Sequence, residues 1–403
     1  MTPTLLTLNA GSSSLKFALY EAGGGDAKLR ASGQIDGMGV DPHFVFRTAS
    51  GDVIQDCKPS PEDASDHAAV LDHVLSVLRD YLPDSGLCAV GHRVVHGGTK
   101  YTSPAVVTPD VLAELQSFTQ LAPLHQPHNL AGITAARTAF PRAVQVACFD
   151  TAFHRSHPWV NDTFALPRKY FDKGVRRYGF HGLSYEYVTE HLQVAHPELA
   201  TGRIVVAHLG SGASMCAIRN GQSIGSTMGF SALDGLPMGT RCGQLDPGVV
   251  LYLLEQEDLS VHDVTDLLYK ESGLKGLSGL SNDMRLLEAA GTPEAQQAID
   301  YFVFRVRREV GAMAAILGGI DGFVFCGGIG ENAHRIRTAI CQGMDWIGLQ
   351  IDDDLNSVNS PVISSDRSRI KVLVVRTDEE AMIARHTLSV MRDATKAIDL
   401  VQA

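Results

Sequence analysis

The chain has 403 residues, 44% hydrophobic and 20% charged, with a formal net charge of −11. That length fits two or three domains, and the composition is that of an ordinary globular protein able to bury more than one core. The acidic balance removes the electrostatic footprint expected of a nucleic-acid or anionic-membrane binder, so any bound phosphate must be held by local devices. The seven cysteines are scattered with no CxxC pair, which argues for reduced thiols and against a disulfide frame or a zinc site. The first residues lack a basic segment followed by a long apolar one, and no charge-free apolar run reaches about 18 residues. Neither a signal peptide nor a transmembrane helix is expected, and the expected location is cytoplasmic.

Strands and helices alternate. Residues 4–9 and 15–20 read as strands around a Gly-Ser turn. Residues 61–82 carry Leu71, Val74, Leu75, Leu78 and Leu82 at helical spacing. Residues 88–95 read as a buried strand, and Thr108-Pro109-Asp110 as a helix start, with a capping hydroxyl and a first-turn proline. A strand over 143–149 ends at Asp150. Strands over 203–209 and 213–219 flank Gly210-Ser211-Gly212. Asp246-Pro247 and Thr292-Pro293 repeat the cap-plus-proline signal, and the second helix should stop at Gly318-Gly319. A strand at 323–325, the turn Gly327-Gly328-Ile329-Gly330, a helix from Glu331, a strand over 371–376 and a helix from about Asp378 complete the chain. The strand–Gly-Ser–strand unit thus occurs twice, half a chain apart, which suggests two similar α/β domains flanking a cleft.

Glycine lets backbone N–H groups approach a phosphate closely. Three loops offer this: Asn9 to Ser14, with Lys16 beyond it; His208-Leu209-Gly210-Ser211-Gly212; and Gly327 to Asn332, opening a helix. GxxxxGK[ST] does not occur, nor does GxGxxG after the first strand. Phosphoryl transfer needs positive charge around the equatorial oxygens. Arg93, Asp150, His181 and Arg241 each stand at a strand end or between glycines. Singly, each has a bland reading as surface arginine, helix cap or structural histidine. Together they point to an enzyme that handles a phosphorylated ligand, and spacing alone names no substrate.

In order along the chain, LNAGSSSLKFALY (8–20), GHRVVHGG (91–98), LAPLH (121–125), CFDTAFH (148–154), RRYGFHGLS (176–184), HLGSGAS (208–214), MGTRCGQLDPG (238–248), GGIGEN (327–332) and TDEEAMIAR (377–385) resemble the motifs of the acetate kinases. That family belongs to the acetate-and-sugar-kinase/Hsp70/actin superfamily. The resemblance implies two duplicated RNase-H-like domains, 1–150 (completed by 386–403) and 151–385, and a homodimer. It implies the reaction ATP + acetate ⇌ ADP + acetyl phosphate with Mg²⁺. Position by position, it makes Asn9 and Glu379 the Mg²⁺ residues, Lys16 an ATP-contacting lysine and Arg93 the substrate-binding arginine. Asp150, His181 and Arg241 become catalytic. His208, Leu209, Gly210, Ser211, Gly212, Asp283, Met284, Arg285, Gly328, Ile329, Gly330, Glu331 and Asn332 become the nucleotide segments. Val95, Leu124, Phe180 and Ala232 wall the acyl pocket. The chain departs from the family at Ser211 (usually Asn), Ala232 (usually Pro) and Gln126 (usually Asn). Acetate is already ionised at neutral pH, so Asp150 is expected to hold Arg93 or orient Mg²⁺ and not to remove a proton. The alternatives are a propionate or butyrate kinase and a non-catalytic nucleotide switch of the actin/Hsp70 type.

Overall fold

This computed structural model describes the chain except residues 1–2, 11–13, 24–25, 38–40, 61, 65, 83–85, 124 and 403, and the side chains of residues 67 and 394–402. Two compact units result. One is 1–152 with 378–403, and the other is 153–377. The chain re-enters the first unit at Asp378, ahead of the 386 suggested by sequence. The reason is packing: Met382, Ile383 and Ala384 are already buried.

The first unit is built on strands β1 (Thr4–Ala10), β2 (Ser14–Gly23), β3 (Asp26–Asp36), β4 (His43–Thr48), β5 (Val53–Cys57), β6 (Leu87–Val94), β7 (Ala105–Val106) and β8 (Val144–Phe149). They form one sheet in the order β5-β4-β3-β2-β1-β6-β8-β7. β1 pairs antiparallel with β2 and parallel with β6, and β6 runs parallel to β8. Alternate side chains of a strand face opposite ways. Leu6 and Leu8 therefore join Phe17, Val70, Val74 and Leu78 on one face, under the helices His67–Tyr81 and Gln126–Ala139. Leu5 joins Ala18, Tyr20 and Ala89 on the other, under Ala384, Leu388 and Met391 of the helix Glu379–Gln402. Gly91 permits that close approach: a Cβ there would stand 2.1 Å from Thr387 Oγ1 and 2.7 Å from Ile383 Cγ2.

The second unit carries β9 (Arg203–Leu209), β10 (Ala213–Arg219), β11 (Gln222–Ser226), β12 (Gly322–Cys326) and β13 (Lys371–Val374), ordered β11-β10-β9-β12-β13. β9 is antiparallel to β10 and parallel to β12, which is parallel to β13. The run β3-β2-β1-β6-β8 of the first sheet has the same order and the same senses. This is the duplicated RNase-H-like α/β fold. The helix Gly182–Ala195 covers one face through Tyr185, Val188 and Leu192. The helix Pro293–Leu317 packs on β10. Its start is fixed by Thr292, whose hydroxyl accepts from the Ala295 N–H, and its end by Gly318 at φ 70°. Where a turn and a helix from Glu331 were expected, Gly327–Asn332 is itself helical and is followed by the helix His334–Cys341.

In open α/β sheets, ligands gather at the carboxyl ends of the parallel strands. In the first unit Asn9 and Arg93 are the last residues but one of β1 and β6, and Asp150 follows β8. In the second, Gly210 follows β9 and Gly327 follows β12.

Candidate active site

In the first unit Arg93 and Asp150 form a buried fork. Arg93 Nη2 donates to Asp150 Oδ2 at 2.6 Å, and its Nε donates to both carboxylate oxygens at 3.0 and 3.2 Å. Arg93 Nη1 donates to Asn9 Oδ1 at 3.2 Å. Asn9 Nδ2 in turn donates to Glu379 Oε2 and Glu380 Oε1, both at 3.0 Å. Burial raises the Asp150 carboxyl, against the lowering pull of the Arg93 guanidinium, and Glu379 adds to the rise. Burial also opposes the Arg93 charge, but Asp150, Glu379 and Glu380 outweigh it and raise the guanidinium further. A two-pronged pair of this geometry stays ionic. Glu380 is raised by burial and by Glu379, with Lys16 and the Asn9 amide pulling the other way. The cluster is thus short of positive charge: one amide nitrogen bridges two carboxylates. An amide oxygen and two carboxylates are the donors a hard divalent cation takes. Rotation of the Asn9 amide would offer its oxygen, so these residues fit a Mg²⁺ ion.

The loop after Arg93 is fixed by two buried amides. Asn129 Oδ1 accepts from the Val95 N–H at 2.9 Å, and Asn129 Nδ2 donates to Ala10 O at 3.1 Å. Gln126 accepts from the His96 N–H at 3.2 Å and donates to His96 O and Leu115 O, each at 3.1 Å. Val95 is buried, and Lys16 is exposed on β2. Leu124 and the Gly11-Ser12-Ser13 turn lie outside the described residues.

In the second unit His181 caps the helix Gly182–Ala195 with φ 57°, left-handed backbone that costs a non-glycine residue of order 1 kcal/mol or more. Its Nδ1 lies 2.8 Å from Ser214 Oγ, and its ring stacks on His208 with centroids 4.3 Å apart. Arg241 Nη1 donates to Ala232 O at 2.6 Å. Both side chains meet over Gly212, where an added Cβ would be 2.8 Å from Arg241 Nη2 and 3.2 Å from His181 Nε2. Glycine at 212 is therefore what leaves room for two donors side by side.

Next to them lies a cavity of about 500 Å³ lined by Gly210, Ser211, Asn282, Asp283, Met284, Arg285, Glu288, Gly328, Ile329, Asn332 and Ala333. The glycine-bearing turn at Gly210-Ser211 and the glycine-bearing helix Gly327–Asn332 both line it, which suits phosphates. Met284 and Ile329 give it the apolar surface a nucleobase needs. Asp283 caps the helix Met284–Ala290 and forks with Arg285, Nη2 to Oδ2 at 2.6 Å.

A family model described as the acetokinase family matches residues 4–385. The chain belongs to that family. An acetate kinase of Methylocella silvestris is 58% identical over 398 residues, spanning 97% of this chain and 98% of the relative. The crystal structure of Porphyromonas gingivalis acetate kinase is 37% identical, covers 96% of this chain and 100% of its own, and superposes with a TM-score of 0.83. A propionate kinase from Francisella tularensis is 34% identical with a TM-score of 0.87, covering 96% and 99%.

The nucleotide residues expected from sequence do not all meet the cavity. Gly210, Ser211, Asp283, Met284, Arg285, Gly328, Ile329 and Asn332 line it, whereas Leu209 is buried in β9. Glu331 turns inward, where its Oε1 accepts from the Gly327 N–H at 3.0 Å and the Thr377 N–H at 3.1 Å, tying the loop after β12 to that after β13. Gly330 is buried and offers its carbonyl to Arg337 Nη1 at 2.9 Å. Phe180 is buried with its carbonyl 2.9 Å from His154 Nε2. Sequence reasoning missed Glu380, although it adjoins Glu379. It also missed Asn129, Ser214 and Tyr185, and it gave Gln126 no role.

Proposed function

We propose that the chain is a Mg²⁺·ATP-dependent kinase of a short carboxylic acid, acetate first, running ATP + acetate ⇌ ADP + acetyl phosphate. The observation that carries this is the convergence of Arg241 Nη2 and His181 Nε2 over Gly212, beside a cavity lined by Gly210 and Ser211 and by Gly328, Ile329 and Asn332 of the helix after β12. Two donors fixed side by side match a planar phosphoryl group whose equatorial oxygens gain charge in transfer. An acetate oxygen forms the new bond to the γ-phosphorus while the bond to the β,γ-bridging oxygen breaks and ADP leaves. No proton moves, because the carboxylate is already ionised.

Arg93 takes the substrate carboxylate. Asp150 already occupies its Nε–Nη2 edge and Asn9 one hydrogen of Nη1, which leaves the end-on Nη1–Nη2 pair as the substrate-facing fork. Asp150 is then the group that aims Arg93, and a general base is not needed. Asn9, Glu379 and Glu380 would hold Mg²⁺, which when bound supplies positive charge to the phosphate oxygens. The acyl-binding roles that the resemblance implies for Val95, Leu124, Phe180 and Ala232 belong to this reading, as do the homodimer and the cytoplasmic location.

Alanine at 232, in place of the family's proline, favours a second reading in which propionate is also used well. A methylene changes preference by only about 10–200-fold in such pockets. Measuring kcat/KM for acetate, propionate and butyrate side by side decides: a maximum at acetate supports the first reading, a maximum at propionate the second, and no turnover of any of the three refutes both.

A further inference from the structure

Two buried hydroxyls stand behind the His181 ring. His181 Nδ1 lies 2.8 Å from Ser214 Oγ, and Ser214 Oγ is hydrogen-bonded to Tyr185 Oη. Ser214 sits on β10 and Tyr185 one turn into the helix that His181 caps; both are fully buried. The tyrosine contributes one O–H and is fully buried, so that hydrogen needs an acceptor inside the protein. Among the described residues Ser214 Oγ is the acceptor within reach of it. If Tyr185 donates to Ser214, the buried serine hydrogen needs an acceptor of its own, and among the described hydrogen bonds His181 Nδ1 is the one left to take it, which places the ring proton on Nε2. The reverse polarity, His181 Nδ1–H to Ser214 and Ser214 to Tyr185, leaves the phenol hydrogen stranded. A stranded buried donor costs about 1–3 kcal/mol, or roughly a 5- to 150-fold bias. Burial also holds the Tyr185 phenol well above its ordinary range, so it remains a donor.

The Nε2 end is the one that meets Arg241 over Gly212. Stacking of the His181 ring on His208, planes 20° apart, fixes its plane but not its proton. We infer that Ser214, oriented by Tyr185, is a positioning residue that donates to His181 Nδ1 and thereby holds the histidine as an Nε2–H donor aimed at the transferring phosphoryl group. The inference rests on the reading of His181 as a donor to that group, and adds the two residues that set its tautomer.

Two measurements test it on the full-length chain. ¹⁵N NMR of histidine-labelled protein, with His181 assigned by comparison with His181→Ala, should show an unprotonated, hydrogen-bonded Nδ1 and a protonated Nε2 at pH 7.5. A protonated Nδ1 overturns the inference whatever the activity. In kinetics, Ser214→Ala should lower kcat about 10-fold with KM for ATP and acetate within twofold, and Tyr185→Phe should lower kcat about 2- to 5-fold. Neither substitution should cost more in a His181→Ala background, because both act through that ring. Full additivity there overturns the relay while leaving the catalytic reading of His181 intact. A His181→Ala variant with normal kcat overturns that reading instead, and the tautomer measurement then stands alone as the test of Ser214.

Discussion

Replacing Gly212 by alanine tests the convergence of Arg241 and His181 directly. Its φ is not left-handed, so alanine introduces no backbone strain. The new methyl would lie 2.8 Å from Arg241 Nη2, 3.2 Å from His181 Nε2 and 3.4 Å from His181 Cε1. Ordinary contacts between such atoms begin at about 3.5 Å, so the guanidinium must retreat by about 0.7 Å and the imidazole by less. The far end of an arginine can move cheaply, so Tm should change little, and fewer unfolded conformations offset part of any loss. Catalysis should suffer more, since a misplacement of about 1 Å costs on the order of 10²-fold and losing a transition-state donor about 3–4 kcal/mol. The expected result is a fall in kcat of about 30- to 100-fold, with KM for ATP within about threefold, because Gly212 does not line the cavity. Arg241→Ala sets the floor, at about 10²- to 10³-fold. Steady-state rates from an ADP-coupled assay, beside a melting curve, separate the two effects. A folded Gly212→Ala variant with kcat within twofold of the parent would refute the placement of both donors at one reacting group.

Asp150→Asn should lose most activity, because the amide cannot return the charge that aims Arg93. Since the nucleophile is already ionised, wild-type kcat should show no limb between pH 6 and 8 that disappears in Asp150→Asn; such a limb would restore the general-base reading. Ala232→Pro should raise the acetate-to-propionate ratio of kcat/KM several-fold by stiffening and filling the pocket wall. Proline retains the carbonyl that Arg241 Nη1 grips at 2.6 Å, so acetate kcat should fall less than tenfold, and an unchanged ratio would place residue 232 outside the pocket. Stability should decline in acid through His92 and His154, each lowered by burial from 6.5 to about 4. The unfolded chain takes up these protons first, so stability is whole above pH 6.5 and lost as pH falls toward 4, by about 2 kcal/mol per histidine at pH 5. Urea midpoints at pH 7.5 and 5 should show this, and a His92→Gln variant should show a shallower decline.

Much of this was legible in the residues because the signals were local. Thr108-Pro109, Asp246-Pro247 and Thr292-Pro293 each put a capping oxygen beside a residue that needs no N–H, and all three start helices. Buried strands β1, β8 and β9 announced themselves as apolar runs. β3 did not, because its burial alternates irregularly over Asp26–Asp36 and its polar residues interrupt any apolar run. Catalytic candidates between glycines were legible for the same local reason. The groups that aim them were not. Asn129 is 34 positions from Val95, Ser214 is 33 from His181, and only the fold joins them. Gln126 looked like a neutral departure until its three hydrogen bonds to His96 and Leu115 were visible. Glu331 sits in a nucleotide motif, yet its carboxylate is used to tie two strand ends together, a distinction that spacing cannot carry.

The central claim, phosphorylation of a carboxylate, is tested most directly by trapping the product. Purified protein with Mg²⁺, ATP and acetate is quenched with hydroxylamine, and hydroxamate is measured against ADP. Acetyl hydroxamate equal to ADP formed, absent without acetate and lost with EDTA, is the expected result. ADP formed without hydroxamate, or no turnover at all with a folded protein, would contradict it.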